Sequence, residues 1–183
     1  DDDNDGILDI TEQTTCLISP FASSVPYTFL NETFGTGITR GLININIPGA
    51  SCTYCYEDGI PGTNTVACPM QSDFSVNDGE YTVNYMISDP LGGPTNLATW
   101  SDTNWTAQLD HTPADTNGRM AIFNADYTPG TFYETTITGV IPNVPITYSF
   151  WALNIMSQSA YVGSILPNIT VEFRDLSDVL IST

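Results

Sequence analysis

Asp1, Asp3, Asp5, Asp9 and Glu12 are spaced so that a single turn of chain can bring all five carboxylates to one point. A hard cation such as calcium takes about six to eight oxygens. A twelve-residue loop supplies them from places one, three, five, nine and twelve, plus a main-chain carbonyl at seven. Ile7 provides that carbonyl, and Gly6 holds the sixth place, where the backbone must turn in a way that side chains oppose. The pattern is complete. The alternative is a solvated acidic terminus, as end segments often are, but a full ligand set in register favours calcium. Asp110, Asp115 and Asn117 crowd a second polar stretch. They are a candidate second calcium site, although their spacing matches no calcium template and a solvated loop is the simpler expectation.

Cys16, Cys52, Cys55 and Cys68 carry the next chemistry. Cys52-Thr-Tyr-Cys55 has the spacing of a redox or zinc pair. Zinc would need further ligands from Cys16, Cys68 and His111, with no second closely spaced pair, and no βαβ pattern surrounds the motif. An even count in a chain of secreted character points instead to two disulfides. A direct Cys52–Cys55 bridge would be tight, so each is expected to pair with Cys16 or Cys68, in an order the sequence leaves open.

Catalytic equipment is sparse. His111 is the single histidine, no lysine is present, and no Gly-x-Ser-x-Gly elbow accompanies Asp110-His111. Paired carboxylates for glycoside hydrolysis could hide among 21 acids, but their separation is not readable from sequence. We expect a non-enzyme, with His111 a turn residue bonded to nearby backbone. Trp100 and Trp105, flanked by Ser, Asp, Thr and Asn, are candidates to present flat faces to a glycan. Core burial is the competing expectation for both, and it is the firm expectation for Trp151 beside Phe150.

Composition limits the partners. A formal charge of -18, from 21 acids against Arg40, Arg119 and Arg174, repels nucleic acid and anionic lipid and attracts divalent cations. Hydrophobic content of 41% with 20 aromatics can build a core, so a disordered chain is the wrong class. No apolar run approaches the ~20 residues of a membrane-spanning helix, and no signal peptide is recognisable. An extracellular location follows as the expectation.

The elements that must position these residues read as strands. Stretches 41–47, 80–87, 119–124, 131–138, 146–154, 168–174 and 179–182 alternate apolar and polar residues or are rich in β-branched and aromatic types. Pro-Gly, Asn-Gly, Gly-Gly and Asp-Gly pairs punctuate them, and no window sustains a helical period. The expected architecture is all-β, an antiparallel β-sandwich of jelly-roll type. Residues 1–13 would form the calcium loop and 14–183 the sandwich.

Two resemblances add to this. Residues 1–12 resemble the aspartate-rich, thrombospondin type 3-like repeats that link domains of large bacterial surface proteins; no helix can flank the loop, so an EF-hand-like sensor is not expected. Farther on, Asn31-x2-Phe-Gly-Thr-Gly37, Asn77-Asp-Gly-Glu-Tyr-Thr82, Trp100-x4-Trp105, Asp110-His-Thr112 and Asp115-Thr-Asn-Gly118 occur in order. Met120-x2-Phe-Asn-Ala125, Pro129-Gly-Thr-Phe-Tyr133, Thr138-Gly-Val-Ile-Pro-Asn143, Thr147-Tyr-Ser-Phe-Trp-Ala152, Asn154 and Pro167-Asn-Ile-Thr-Val-Glu-Phe-Arg-Asp175 follow. Together they resemble the carbohydrate-binding-like jelly-roll modules of giant secreted Bacteroidota adhesion and gliding proteins, over about residues 16–183. Arg119 stands where an aromatic is common in that family, and the segment from Cys52 to Cys68 is particular to this chain. The resemblance implies the fold and a multidomain cell-surface setting, but says little about ligand.

The combined expectation is a calcium-stiffened building block whose partners are adjacent domains or neighbouring copies. Residues 14–19 are a candidate donor strand for the next copy's sheet edge. The alternative is a carbohydrate-binding module with glycan partners.

Overall fold

Alternation along 80–87 predicts a strand with one buried face, yet the strand that forms is buried on both. The computed structural model describes residues 27–60, 76–87, 105–141, 144–157 and 167–183. Within them β1 (Cys55–Tyr56), β2 (Glu80–Asn84) and β3 (Met120–Asn124) make one sheet in the order β1-β2-β3. A hairpin of β4 (Phe173–Arg174) and β5 (Leu180–Ser182) makes a second. The described residues contain no helix. The chain is therefore β-rich, as the turn chemistry implies.

Central position explains β2. Its β3 partner runs antiparallel, with Tyr81 opposite Phe123, Thr82 opposite Ile122 and Val83 opposite Ala121. Tyr81 and Val83 pack on one side with Ile43, against Phe34, Tyr54, Ala121 and Phe123. Tyr81 and Phe123 stack with centroids 5.6 Å apart, and the Tyr81 hydroxyl accepts the Ile43 N–H at 3.2 Å. The opposite side carries Ile122 with Val76, Ile87 and Trp105. Covering both faces leaves Glu80, Thr82 and Asn84 buried as well. Glu80 Oε2 accepts the Asn77 N–H at 2.7 Å, and Asn84 Nδ2 donates to the Met86 carbonyl at 2.9 Å. Such bonds offset part of the cost of taking polar groups out of water.

Several expected strands take other forms. Stretch 41–47 is a set of turns with one bridge, Gly41 to Val83, because Ile45 N–H turns back onto the Leu42 carbonyl. Stretch 131–138 contributes the bridge Glu134–Ser51, and 146–154 pairs in no ladder among the described residues. The pair β1–β2 is parallel, with Cys55 opposite Glu80, and was not expected, since two residues give no periodic signal. Alternation becomes a strand only where a neighbour completes the ladder.

Cys55 is disulfide-bonded to a partner outside the described residues, whereas Cys52 is a free thiol. The expectation of complete pairing therefore fails at Cys52. Its Sγ instead lies 3.7 Å from the Tyr54 carbonyl, packed against the Tyr81 cluster, and burial pushes the thiol pKa up. Cys16, Cys68, Trp100, the Asp1–Glu12 loop and the 14–19 donor all lie outside the described residues.

Candidate functional site

Residues 105–109 are threaded between two neighbours, and this fixes where the next residues emerge. Trp105 bridges Met156, the Thr106 N–H donates to the Ile155 carbonyl at 2.6 Å, and Leu109 bridges Met86. Trp105 is thereby only 6% exposed, within the apolar cluster, so it is no surface platform. Asp110 then starts a turn by accepting the Thr112 N–H on Oδ2 at 2.8 Å. Ala114 and Asn117 take left-handed backbone conformations, φ 65 and 55, which asparagine tolerates better than most residues. The loop closes onto residues 35–37: the Gly37 N–H donates to the Asn117 carbonyl at 2.8 Å and the Arg119 N–H to the Gly35 carbonyl at 2.9 Å.

Gly118 brings two of the three expected second-site residues together. The space a β-carbon would occupy there is already filled by oxygens of Asp115 and Asp110. Both carboxylates, with Asn117, Tyr85, Met86 and Leu109, line a cavity of about 160 Å3. Two carboxylates and one amide are short of the oxygens that calcium takes. No group of three His, Cys, Asp or Glu side chains suited to a metal occurs among the described residues.

His111 faces Trp151. The rings stack with centroids 3.7 Å apart and 17° between planes. Trp151 is 78% exposed, which overturns its expected place in the core. The reason lies in its segment. Tyr148 contacts Phe150 and Phe173, so those rings share one side, while Trp151 turns to the other and meets His111. Among the described residues no strand pairs with 146–154.

A second polar centre lies at β1. Glu57 is fully buried; its Oε1 accepts the Gly59 N–H at 2.6 Å and faces Arg40 Nη1 at 3.4 Å, and its Oε2 accepts nothing. Burial pushes the carboxyl up to about 7, against the pull of the Gly59 N–H and of Arg40; Glu80 and Asp58 add to the rise. That value suits acid–base chemistry, but a side chain with no exposure cannot meet a substrate, and its bonds are those of a structural group. A third carboxylate, Glu32, ties three segments. Its Oε2 accepts the Tyr133 hydroxyl at 2.9 Å, and its Oε1 accepts Asn46 Nδ2 at 2.8 Å and the Phe34 N–H at 2.6 Å. Sequence spacing gave no sign of either centre, because each joins residues distant along the chain.

No family model matches the chain, and no curated protein or solved structure shows significant similarity to it. Among the described residues, no helix is long and apolar enough to cross a membrane.

Proposed function

We propose that this chain is a non-catalytic, extracellular building block of a bacterial surface adhesin or self-assembling fibre, a β-sandwich with a calcium-binding loop at residues 1–12. The observation that carries the reading is the open apolar segment beside the β4–β5 hairpin. Ile146, Tyr148, Phe150 and Leu153 are 45%, 47%, 51% and 65% exposed, and Leu180 and Ile181 of β5 are 47% and 69% exposed. Contiguous apolar surface of this kind marks a contact in an assembly. The segment has strand-like sequence and pairs in no ladder with the described residues, which is what an incoming strand from a neighbouring copy would complete. The family resemblance over residues 16–183 points the same way.

Calcium acts at the junction in this reading. The five carboxylates of Asp1, Asp3, Asp5, Asp9 and Glu12 repel one another until a cation joins them. The rival carbohydrate-binding module, read from Trp100 and Trp105, loses Trp105 to the core.

Electron microscopy and light scattering of the purified chain with calcium and with chelator test the proposal. Assemblies that shorten in chelator, and disappear in Phe150→Glu with the β spectrum unchanged, are expected. A strictly monomeric chain with calcium present would overturn the assembly reading. Turnover of a glycan or peptide that is lost on replacing His111 would overturn the non-catalytic one.

A further inference from the structure

Two carboxylates and one guanidinium are shut away from water beside β1. Glu57 has no exposure, Glu80 of β2 has 2% and the Arg40 side chain 2%. Arg40 Nη1 faces both the main-chain carbonyl and Oε1 of Glu57, each at 3.4 Å. Oε1 also accepts the Gly59 N–H at 2.6 Å, while Oε2 accepts nothing from the described residues. Asp58 and Tyr56 stand beside Glu57 in its own segment, and neither brings a positive charge. The other basic groups are placed elsewhere. The chain has no lysine, Arg119 donates to the carbonyls of Thr36 and Thr39, Arg174 clasps Glu172 and Asp178, and His111 stacks on Trp151. One guanidinium does not neutralise two buried carboxylates, so with both ionised a negative charge is left in a dry place. A proton on Oε2 removes it.

The segment that carries Glu57 is lightly held. β1 pairs β2 over two residues and in parallel, through the Cys55 N–H on the Gly79 carbonyl at 3.0 Å and the Glu57 N–H on the Tyr81 carbonyl at 2.8 Å. β2 and β3, in contrast, pair over five residues. Opening β1 therefore costs less than opening the whole sheet, and it returns Glu57 to water.

We propose that a proton on Glu57 is a latch: it holds β1 and residues 57–60 on the edge of β2, and its loss as pH rises lets this segment open while β2 and β3 stay paired. The sign follows from the surroundings. Burial pushes the carboxyl up to about 7, against the Gly59 N–H and Arg40, with Glu80 and Asp58 adding to the rise. In the open form the carboxyl is solvated and returns towards its ordinary 4.5. The closed form is therefore favoured fully below that value and loses ground as pH rises through about 7. Opening bares the Gly79 and Tyr81 carbonyls, so an unpaired edge of β2 becomes available as pH rises. The latch is independent of the assembly reading, because neither Glu57 nor Arg40 belongs to the exposed segment 146–154 or to the β4–β5 hairpin.

The test is native-state hydrogen exchange of the full chain, followed by NMR at pH 5 and pH 8 in urea below the unfolding transition. Rates are corrected for the intrinsic pH dependence of exchange. The Cys55, Glu57 and Gly59 amides should exchange through an opening that low urea barely affects. Its equilibrium constant should rise at least ~10-fold between the two pH values. Amides of the β2–β3 ladder should exchange more slowly and with full sensitivity to urea. In Glu57→Gln the pH dependence of the β1 opening should disappear. If that variant does not fold, carbon-13 NMR of the wild type decides, since the Glu57 carboxyl should titrate near 7, where the rise in opening levels off. Four results would each overturn the proposal. They are an opening constant equal at both pH values, β1 amides that exchange only with the ladder and with its urea dependence, a pH dependence retained in Glu57→Gln, and a Glu57 carboxyl that titrates near its ordinary 4.5.

Discussion

Arg40 Nη1 lies 3.4 Å from Glu57 Oε1, with 2% of one side chain and none of the other open to water. Burial lowers the guanidinium pKa and raises the carboxyl, so the same dry surroundings weaken both charges that they bring together. The Gly59 N–H on Oε1 holds the carboxyl in place, while Oε2 is left as a natural seat for a proton.

That proton makes stability depend on pH. The Glu57 pKa is raised in the fold, from 4.5 to about 7. Its contribution is therefore fully present below the unfolded value and is lost as pH rises through about 7, by up to roughly 3 kcal/mol. Glu57→Gln should remove this slope. Urea unfolding of both proteins at pH 5 and pH 8 checks it: the wild type should lose more between the two pH values than Glu57→Gln does.

Gly37 has φ +144, and a side chain there would overlap the guanidinium of Arg119, which donates to the carbonyls of Thr36 and Thr39. Gly37→Ala should destabilise by about 1–3 kcal/mol through backbone strain and displacement of Arg119. In an Arg119→Ala background the cost should be smaller, since one of the two conflicts is gone. Equal cost in both backgrounds would mean that strain alone acts.

Val83 has no exposure at the centre of β2, so Val83→Ala should lose roughly 1–3 kcal/mol by leaving a cavity. Tyr127→Ala, at a site 93% exposed, should stay within ~0.5 kcal/mol. Chemical denaturation of the two variants under one condition tests the contrast.

Cys52 should be alkylated in unreduced protein, while Cys55 is protected by its disulfide. Because burial raises the Cys52 pKa, labelling at neutral pH should be slow in the folded state and speed up in denaturant. Peptide mapping after alkylation checks both statements. A labelled Cys55, or an unlabelled Cys52 in denaturant, would contradict them.

Strands β2, β3 and β5 were legible in the sequence because alternation there coincides with real ladder partners. The same alternation in 41–47 misled, since period two reports what a strand could bury and not whether a neighbour arrives; for 146–154 no ladder partner lies among the described residues. Polar residues on β2 concealed its second buried face. The meeting of Asp110 with Asp115 was visible as local crowding. Glu57 with Arg40 was not, because seventeen residues separate them and neither belongs to a motif. The two tryptophan expectations fared differently: Trp105 sits within a cluster that its polar flanks disguise, and Trp151 has apolar neighbours that the fold leaves open.

Every arginine in this chain is turned inward or sideways. Arg40 meets Glu57, Arg119 holds the carbonyls of Thr36 and Thr39, and Arg174 clasps Glu172 and Asp178. With no lysine to replace them, two copies approaching one another meet acid against acid. Dissolved ions must then do at such a contact what basic side chains do elsewhere, and over a Debye length of about 8 Å at physiological strength they can. In the proposed assembly, cohesion would then depend on the surrounding electrolyte as much as on the polypeptide: a dilute medium would leave the repulsion in force, and a brine would screen it.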